Sequence, residues 1–413
     1  MFRAIELSGW RQFESVSIDL DARMTVLTGE NGTGKTTILN VLSRHFGWNL
    51  NLISSPLPLS KSRARRFYSD VWSMLESDFS VQPGNLPVGA IRYADGNSCE
   101  LSVPPSPEQA LYNLNYRGQQ AVPGIHIPSH TPAFTYYRVQ NIPTDPKTSQ
   151  QQYQAYQSLL QQLYSADHGH NPGAALKQSL ISLAVFGYGT PAVVENPEYR
   201  RLFEQFQGVL AILLPRVLGF RRLEIRVPDI IFCTSSGDFP LDSASGGIGA
   251  IVGIAWQIFM YGVDIESYTV TIDEPENHLH PSMQRELLPN LFKAFPRVQF
   301  IVATHSPFVA TSSPQAKVYA LVYSDQQRVR SQLLETADLT GTANRTLREI
   351  LGVPLSVPVW VEQRLLEIIE RYRSGPATAE RLEELRKELK HSNLQLFLPE
   401  AIDRIGGGSA QHP

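Results

Sequence analysis

Nine residues near the N-terminus constrain this chain more than any others: Gly29-Glu30-Asn31-Gly32-Thr33-Gly34-Lys35-Thr36-Thr37. They stand between a β-patterned run, Met24 to Thr28, and a segment from Lys35 to about Phe46 that reads as a helix. The first eight fit G-x-x-x-x-G-K-[ST], and a strand before and a helix after is the context that gives this pattern meaning. Three glycines let the backbone curl until successive N–H groups converge on one point. The helix aims its partial positive end at the same point. Such a nest takes phosphate oxygens, with Lys35 as a charge for β/γ-phosphates and the Thr36 hydroxyl placed for Mg²⁺. A glycine turn that merely precedes a helix leaves the Lys-Thr pair unexplained.

A phosphate loop of this kind needs a β/α core, and the chain has one to offer. Phe2 to Leu7 and Val16 to Leu20 alternate as strands, and Val88 to Tyr93 with Ser98 to Val103 reads as a hairpin around Asp95-Gly96-Asn97. A proline-studded stretch then leads to an expected β run, Ala133 to Gln140. Residues 145–217 turn Gln-rich and helical in period, with Tyr153, Tyr156, Leu159, Leu160 and Leu163 at helix spacing. They read as a helical lobe inserted into the core. Strand patterns return at Leu223 to Val227 and Ile230 to Phe232, and two very apolar runs, Tyr268 to Ile272 and Val298 to Ala303, suit a parallel sheet buried on both faces. The expected division is 1–144 and 218–330 for the two halves of an α/β head with a mixed sheet, 145–217 for the lobe, and 331–413 for C-terminal helices. The charged segment Ala379 to Lys390 reads as a solvated helix.

With 413 residues, 42% hydrophobic and a formal net charge of −3, the chain has an ordinary globular composition. That balance argues against nonspecific coating of nucleic acid. Cys99 and Cys233 are far apart and form no CxxC pair, so a structural zinc or disulfide framework is not expected and a reducing, cytoplasmic setting is. No basic-then-apolar leader and no run approaching the ~18 residues of a membrane span are seen, so no membrane partner is expected.

A phosphate loop also needs an acid at the end of a neighbouring strand. Thr269-Val270-Thr271-Ile272-Asp273-Glu274 supplies it: Asp273 to reach Mg²⁺ directly or through water, Glu274 to take a proton from the attacking water. Further on, Phe300 to Ser306 ends another core strand with His305. A lone strand-end histidine is usually structural, but after Asp273-Glu274 it is placed to bond the γ-phosphate and orient the water. Ser245-Gly246-Gly247, ahead of the apolar stretch Ile248 to Tyr261, is a second phosphate-binding device at a helix N-terminus. One chain already has its phosphate loop, so this second device makes sense if it caps the nucleotide of another subunit. A plain flexible turn before a helix is the alternative.

In order, these four pieces resemble the Walker A, signature, Walker B and switch-histidine motifs of ABC-type ATPases. More narrowly they are similar to the RecF/SMC/OLD branch. Trp10-Arg11-Gln12-Phe13, Asn31-Gly32, the run Asp273-Glu274-Pro275-Glu276-Asn277-His278-Leu279-His280-Pro281 and Ala303-Thr304-His305-Ser306-Pro307 carry that likeness. The resemblance covers about 1–45 and 220–325 with specific motifs. It implies ATP rather than GTP, Mg²⁺, and a homodimer or higher homo-oligomer in which Ser245-Gly246-Gly247 completes the partner's nucleotide site. It also implies a magnesium-reading Gln at the end of the strand before the lobe. Gln140 is the positional candidate and Arg138 its rival. One departure stands out: Ile248 follows Gly247 where the branch often has Gln or Glu. Trp10 and Phe13 suit either adenine stacking or core packing.

The lobe is too short for an SMC arm, and the acids after His305 show no Toprim pattern. His168-Gly169-His170 is a polar loop and no metal-ligand cluster. Among ATPases of this branch without an effector of their own, the chain looks most like the stand-alone subunits of bacterial antiphage systems, the Septu type paired with a separate HNH nuclease. The runner-up is a RecF-like ATPase that binds DNA phosphates through Lys61-Ser62-Arg63-Ala64-Arg65-Arg66 and Arg221-Arg222.

Overall fold

Alternation at the N-terminus becomes an antiparallel pair, Phe2–Trp10 against Phe13–Asp19, with Ile5 opposite Ile18 and Leu7 opposite Val16. All four side chains are buried, so a one-residue slip would turn the apolar set out to solvent. The computed structural model describes residues 1–20, 23–49, 51–56, 67–71, 84–104, 110–130, 134–164, 171–335, 359–373, 378–392, 394–398, 401–402 and 405. The basic run Lys61 to Arg66, the His168-Gly169-His170 loop and Ala133 lie outside these residues.

Eleven of the described strands form one mixed sheet. Five are parallel neighbours, in the order Gly124–Ile127, Tyr268–Asp273, Val298–Ala303, Met24–Gly29 and Lys317–Tyr323. The middle three are buried at every position, which is why their sequences run apolar without alternation. Val329–Leu334 joins this part to the antiparallel part, pairing with Lys317–Tyr323 on one side and Phe13–Asp19 on the other. The head therefore runs past the expected boundary at residue 330, because that strand fills the seam of the sheet. The hairpin Leu86–Tyr93 and Ser98–Val103 extends the antiparallel edge.

Helix α1 (Lys35–Ser43) follows the phosphate loop and is shorter than the expected helix, passing into a 3₁₀ turn, Arg44–Phe46. In the segment expected as a lobe, 145–217, the described residues form three α-helices, α2 (Ser149–Tyr164), α3 (Pro172–Tyr188) and α4 (Pro197–Leu213). Asn171 and Asn196 cap the last two through their side-chain oxygens, each followed by a proline whose missing N–H costs nothing there. Next comes the hairpin Phe220–Arg226 with Asp229–Thr234, then α5 (Gly246–Gly262), a helix apolar all round and almost wholly buried. Helices α6 (Pro281–Ala294) and α7 (Pro307–Ala310) follow the two central strands. Among the described residues no helix is long and apolar enough to cross a membrane.

The expected β run ending at Gln140 is corrected. Residues 134–140 have no regular structure, and the strand before the lobe is the shorter Gly124–Ile127. Its register against Tyr268–Asp273 fills that edge of the sheet, and Pro123 and Pro128 delimit it. Among the described residues, the β-favouring run Thr135 to Val139 pairs with no strand.

The chain divides into two compact units, Met1–Thr340 and Gly341–Pro413. The second contains α8 (Val359–Arg373) and α9 (Ala379–His391) around Leu365, Ile368, Leu385 and Leu389. Only Leu385 and Leu389 of α9 are buried, so this charged segment is a solvated helix.

Candidate functional site

Parallel pairing sets the C-terminal ends of the central strands level. Asp273 pairs with Ala303, and Ala303 with Leu27, so the phosphate loop, Asp273-Glu274 and Thr304-His305 emerge along one edge. In parallel sheets that edge is where a ligand crevice forms.

The loop itself is held by close packing as well as by dihedral freedom. Gly29, Gly32 and Gly34 have φ of 145, 83 and 94. A Cβ on Gly29 would lie 2.4 Å from the Leu321 carbonyl oxygen, and one on Gly34 2.2 Å from Gln12 Nε2 and 2.5 Å from Phe13 Cζ. Phe13 and Trp10 are fully buried beneath the loop, so both are core residues and neither presents a face to a base. Thr33 turns inward and donates to the Glu30 carbonyl at 2.9 Å, while Glu30, Asn31, Gly32 and Thr36 stay exposed. Thr37 is half-buried behind them on α1. Lys35 is buried, and its Nζ donates to the Gly29 and Glu30 carbonyls at 2.9 and 2.8 Å.

Asp273 is buried near the Thr36 hydroxyl, and its Oδ1 has no hydrogen-bond partner. Burial pushes Asp273 up to about 6 and Lys35 down to about 8. Both shifts report charged groups short of compensation. Phosphate oxygens would supply it for the ammonium, and a divalent cation for the carboxylate. The residues therefore fit Mg²⁺ carried on a nucleotide, with Thr36 and Asp273 as the protein ligands.

Glu274 sits in the left-handed region, φ 46, a strain of about 1 kcal/mol or more for a residue with a side chain. Three contacts hold it there. Its N–H donates to the Ala303 carbonyl at 2.8 Å, Asn277 Nδ2 donates to Oε2 at 3.1 Å, and His305 Nε2 lies 3.5 Å from Oε1. The Asn277 amide also donates to the Ser129 carbonyl at 3.0 Å, which ties the turn to the end of strand Gly124–Ile127. Beneath it, half-buried Glu276 accepts from the backbone N–H groups of His305 (2.7 Å) and Ser306 (3.1 Å). Desolvation, and then the Lys35 charge, hold the His305 imidazole below its ordinary value, which keeps it neutral at pH 7.

Sequence reading assigns no role to Glu276 or Asn277. The available signal was an acid and an amide three places beyond Asp273 and Glu274, in a turn that Pro275 opens and Pro281 closes.

The structure brings together the loop, Thr36, Asp273, Glu274 and His305. It does not bring Gln140 to them: Gln140 is exposed, ends no strand, and Ser129 occupies the position beside the Glu274 turn. Ser245 caps α5 without a side-chain bond to its N–H groups, and Ser245 and Gly246 are exposed. Gly247 packs under the loop after Glu274, where a Cβ would lie 2.8 Å from the His278 carbonyl oxygen. Helix α5 lies over the edge strand Gly124–Ile127, which two strands separate from Met24–Gly29. Of the basic pair Arg221-Arg222, Arg222 is paired with Glu224 and Arg221 donates to the Ser235 hydroxyl at 3.4 Å.

Two family profiles match the chain: one described as "AAA domain" over residues 4–54, and one described as "AAA domain, putative AbiEii toxin, Type IV TA system" over residues 235–311. A probable ATPase of retron Ec83 from Escherichia coli is 31% identical over 102 residues, 25% of this chain and 15% of that protein. The Septu protein PtuA of Bacillus mycoides is 27% identical over 172 residues, 39% of this chain and 23% of that protein. The chain thus matches less than a quarter of the length of these two relatives. PtuA of Bacillus thuringiensis is 19% identical over 373 residues, 85% of this chain and 83% of that protein. Among solved structures, the SMC head domain from Thermotoga maritima aligns with a TM-score of 0.42 and 14% identity, covering 81% of this chain and 99% of that one. The fold is that of a P-loop NTPase, and the chain is similar in sequence to AAA domains and to Septu and retron ATPases.

Proposed function

We propose that this ATPase closes into a homodimer, or a higher homo-oligomer, around ATP and Mg²⁺, and that closure controls a separate effector in bacterial defence. The observation that carries the dimer is the split site. One end of the sheet gathers the phosphate loop, Asp273, Glu274 and His305, while the uncapped N-terminus at Ser245-Gly246 is presented to solvent over the edge strand. A second copy turned face to face brings its Ser245-Gly246-Gly247 against the nucleotide of the first.

Within one site, the loop N–H groups and Lys35 bind the phosphates, and Thr36 and Asp273 would hold Mg²⁺, which would supply charge to polarise them. Glu274 takes the proton of the attacking water, and neutral His305 orients that water beside the γ-phosphate. Asn277 fixes the base by one oxygen and leaves the other toward His305. The relatives' names support the defence assignment, and an HNH-type nuclease is the effector that a Septu-like system would pair with this subunit. Arg222 is engaged with Glu224 and Arg221 with the Ser235 hydroxyl, so this pair gives little to a DNA-binding reading.

The test is mass measurement in solution of the Glu274→Gln variant, with and without ATP and Mg²⁺. A dimer seen only with nucleotide is expected, and a monomer under both conditions would overturn the proposal. Affinity capture from the native host, with and without ATP, then identifies the effector.

A further inference from the structure

Lys177 is a lysine with almost no business being buried: its side chain is 1% exposed, in the middle of helix α3 of the lobe. Its ammonium has three hydrogens, and three acceptors take them: Asp229 at 2.7 Å, the Tyr137 carbonyl at 2.8 Å, and Asp242. These acceptors come from three separate places: the hairpin strand Asp229–Thr234, the segment that follows the edge strand, and the single turn Leu241–Ser243. That turn leads directly into Ser245. Desolvation opposes the ammonium here, yet the two carboxylates outweigh it and hold Lys177 above its ordinary value.

A second set of contacts runs alongside. The Phe134 ring lies against Gly173 of α3 and Gly249 of α5, where added Cβ atoms would approach it to 2.7 and 2.8 Å. The Tyr137 N–H also donates to Asp242 at 3.4 Å. The Phe134 ring is therefore wedged between α3 and α5, the helix whose N-terminus is Ser245-Gly246-Gly247.

Resting on the dimer reading above, we infer that Lys177 is a positioning residue: through Asp242 it sets where Ser245-Gly246-Gly247 stands, and so links the attitude of the lobe to closure over the partner's nucleotide. An effector or sensor that tilts α3 would move this lysine and, with it, the half-site it holds.

The test measures ATP turnover against protein concentration, and separately the affinity for a fluorescent ATP analogue at low protein concentration. The proteins are wild type, Lys177→Met, Lys177→Arg, Asp242→Asn and the double variant Lys177→Met/Asp242→Asn. Asp242→Asn keeps the shape of the turn, so it serves where Lys177→Met does not fold. Expected are nucleotide affinities within about twofold of wild type, and turnover lower by about tenfold in Lys177→Met and in Asp242→Asn, the scale of a site displaced by less than an ångström. Lys177→Arg should recover most of the loss, and the double variant should be no worse than the worse single one. Folded variants that match wild type, or that lose nucleotide affinity and turnover together, overturn the inference. Wild-type turnover independent of protein concentration sinks the dimer reading instead.

Discussion

Oε1 of Glu274 lies 3.5 Å from Nε2 of His305, at the junction of two parallel strands whose ends the sheet register sets level. Neither is fully buried, so water can reach the space between them and the phosphate loop. The carboxylate is both held in place and open to solvent. Glu274→Gln keeps its size and its donor contact but removes the base, so turnover should fall by about 10²-fold or more while ATP binding persists. Steady-state hydrolysis and equilibrium nucleotide binding on the same preparation check this. Hydrolysis at the wild-type rate would place the base elsewhere.

Asn277 bridges Glu274 and Ser129 with one amide nitrogen. Asn277→Ala frees the carboxylate to rotate without changing the phosphate loop. The expected result is a kcat lower by roughly tenfold at unchanged KM for ATP, since orientation and not binding is lost. Asn277→Asp should be worse than Asn277→Ala, because it places a second carboxylate against Glu274.

Gly34→Ala tests the packing under the loop. The new methyl would meet Gln12 and Phe13, and the backbone at φ 94 resists any side chain. Melting temperature and nucleotide binding should both drop. By contrast Lys35→Ala, which removes only donors to loop carbonyls, should lose binding while melting near wild type.

How much of this was legible follows from how local each feature is. The phosphate loop is read from contiguous residues because its geometry is set by glycine dihedrals within the loop. Asp273, Glu274 and His305 are legible because buried parallel strands announce their ends by a switch from apolar to polar. Gln140 misled because a run of β-favouring residues forms a strand only if a neighbouring strand exists to pair with it. Here the four-residue Gly124–Ile127, too short to stand out, takes the edge. Lys177 was illegible for a related reason: the carboxylates that let it be buried come from strands and turns far along the chain.

Two histidines predict an acid weakness. Burial pushes His45 down to about 4 and His126 to about 3, from an ordinary value near 6.5. The unfolded chain therefore binds more protons between these values, so their contribution is complete above pH 6.5 and drains as pH falls toward 4. Asp273, raised to about 6, acts in the opposite sense, losing stability as pH rises through that value. The difference between proteins isolates one group: urea melts of wild type and His126→Asn at pH 7, 5.5 and 4.5 should show a shallower loss in the variant. A parallel loss would mean that His126 titrates normally in the folded protein.

The split site can be tested by complementation. Lys35→Ala damages the phosphate-loop half of a site, and Ser245→Arg damages only the half contributed to a partner. Each variant alone has no complete site and should be inactive as a homodimer. Mixed, they form heterodimers in which the phosphate loop of the Ser245→Arg chain faces the intact Ser245-Gly246-Gly247 of the Lys35→Ala chain. With random pairing at equal amounts, half the dimers carry one good site of two, so activity should return to roughly a quarter of wild type, given two-fold symmetry and independent sites. If the two sites fire only together, the mixture stays inactive but still dimerises with ATP. If Ser245→Arg alone hydrolyses ATP at full rate, the loop at Ser245 is no part of the site, and the exposed N-terminus of α5 serves some other contact.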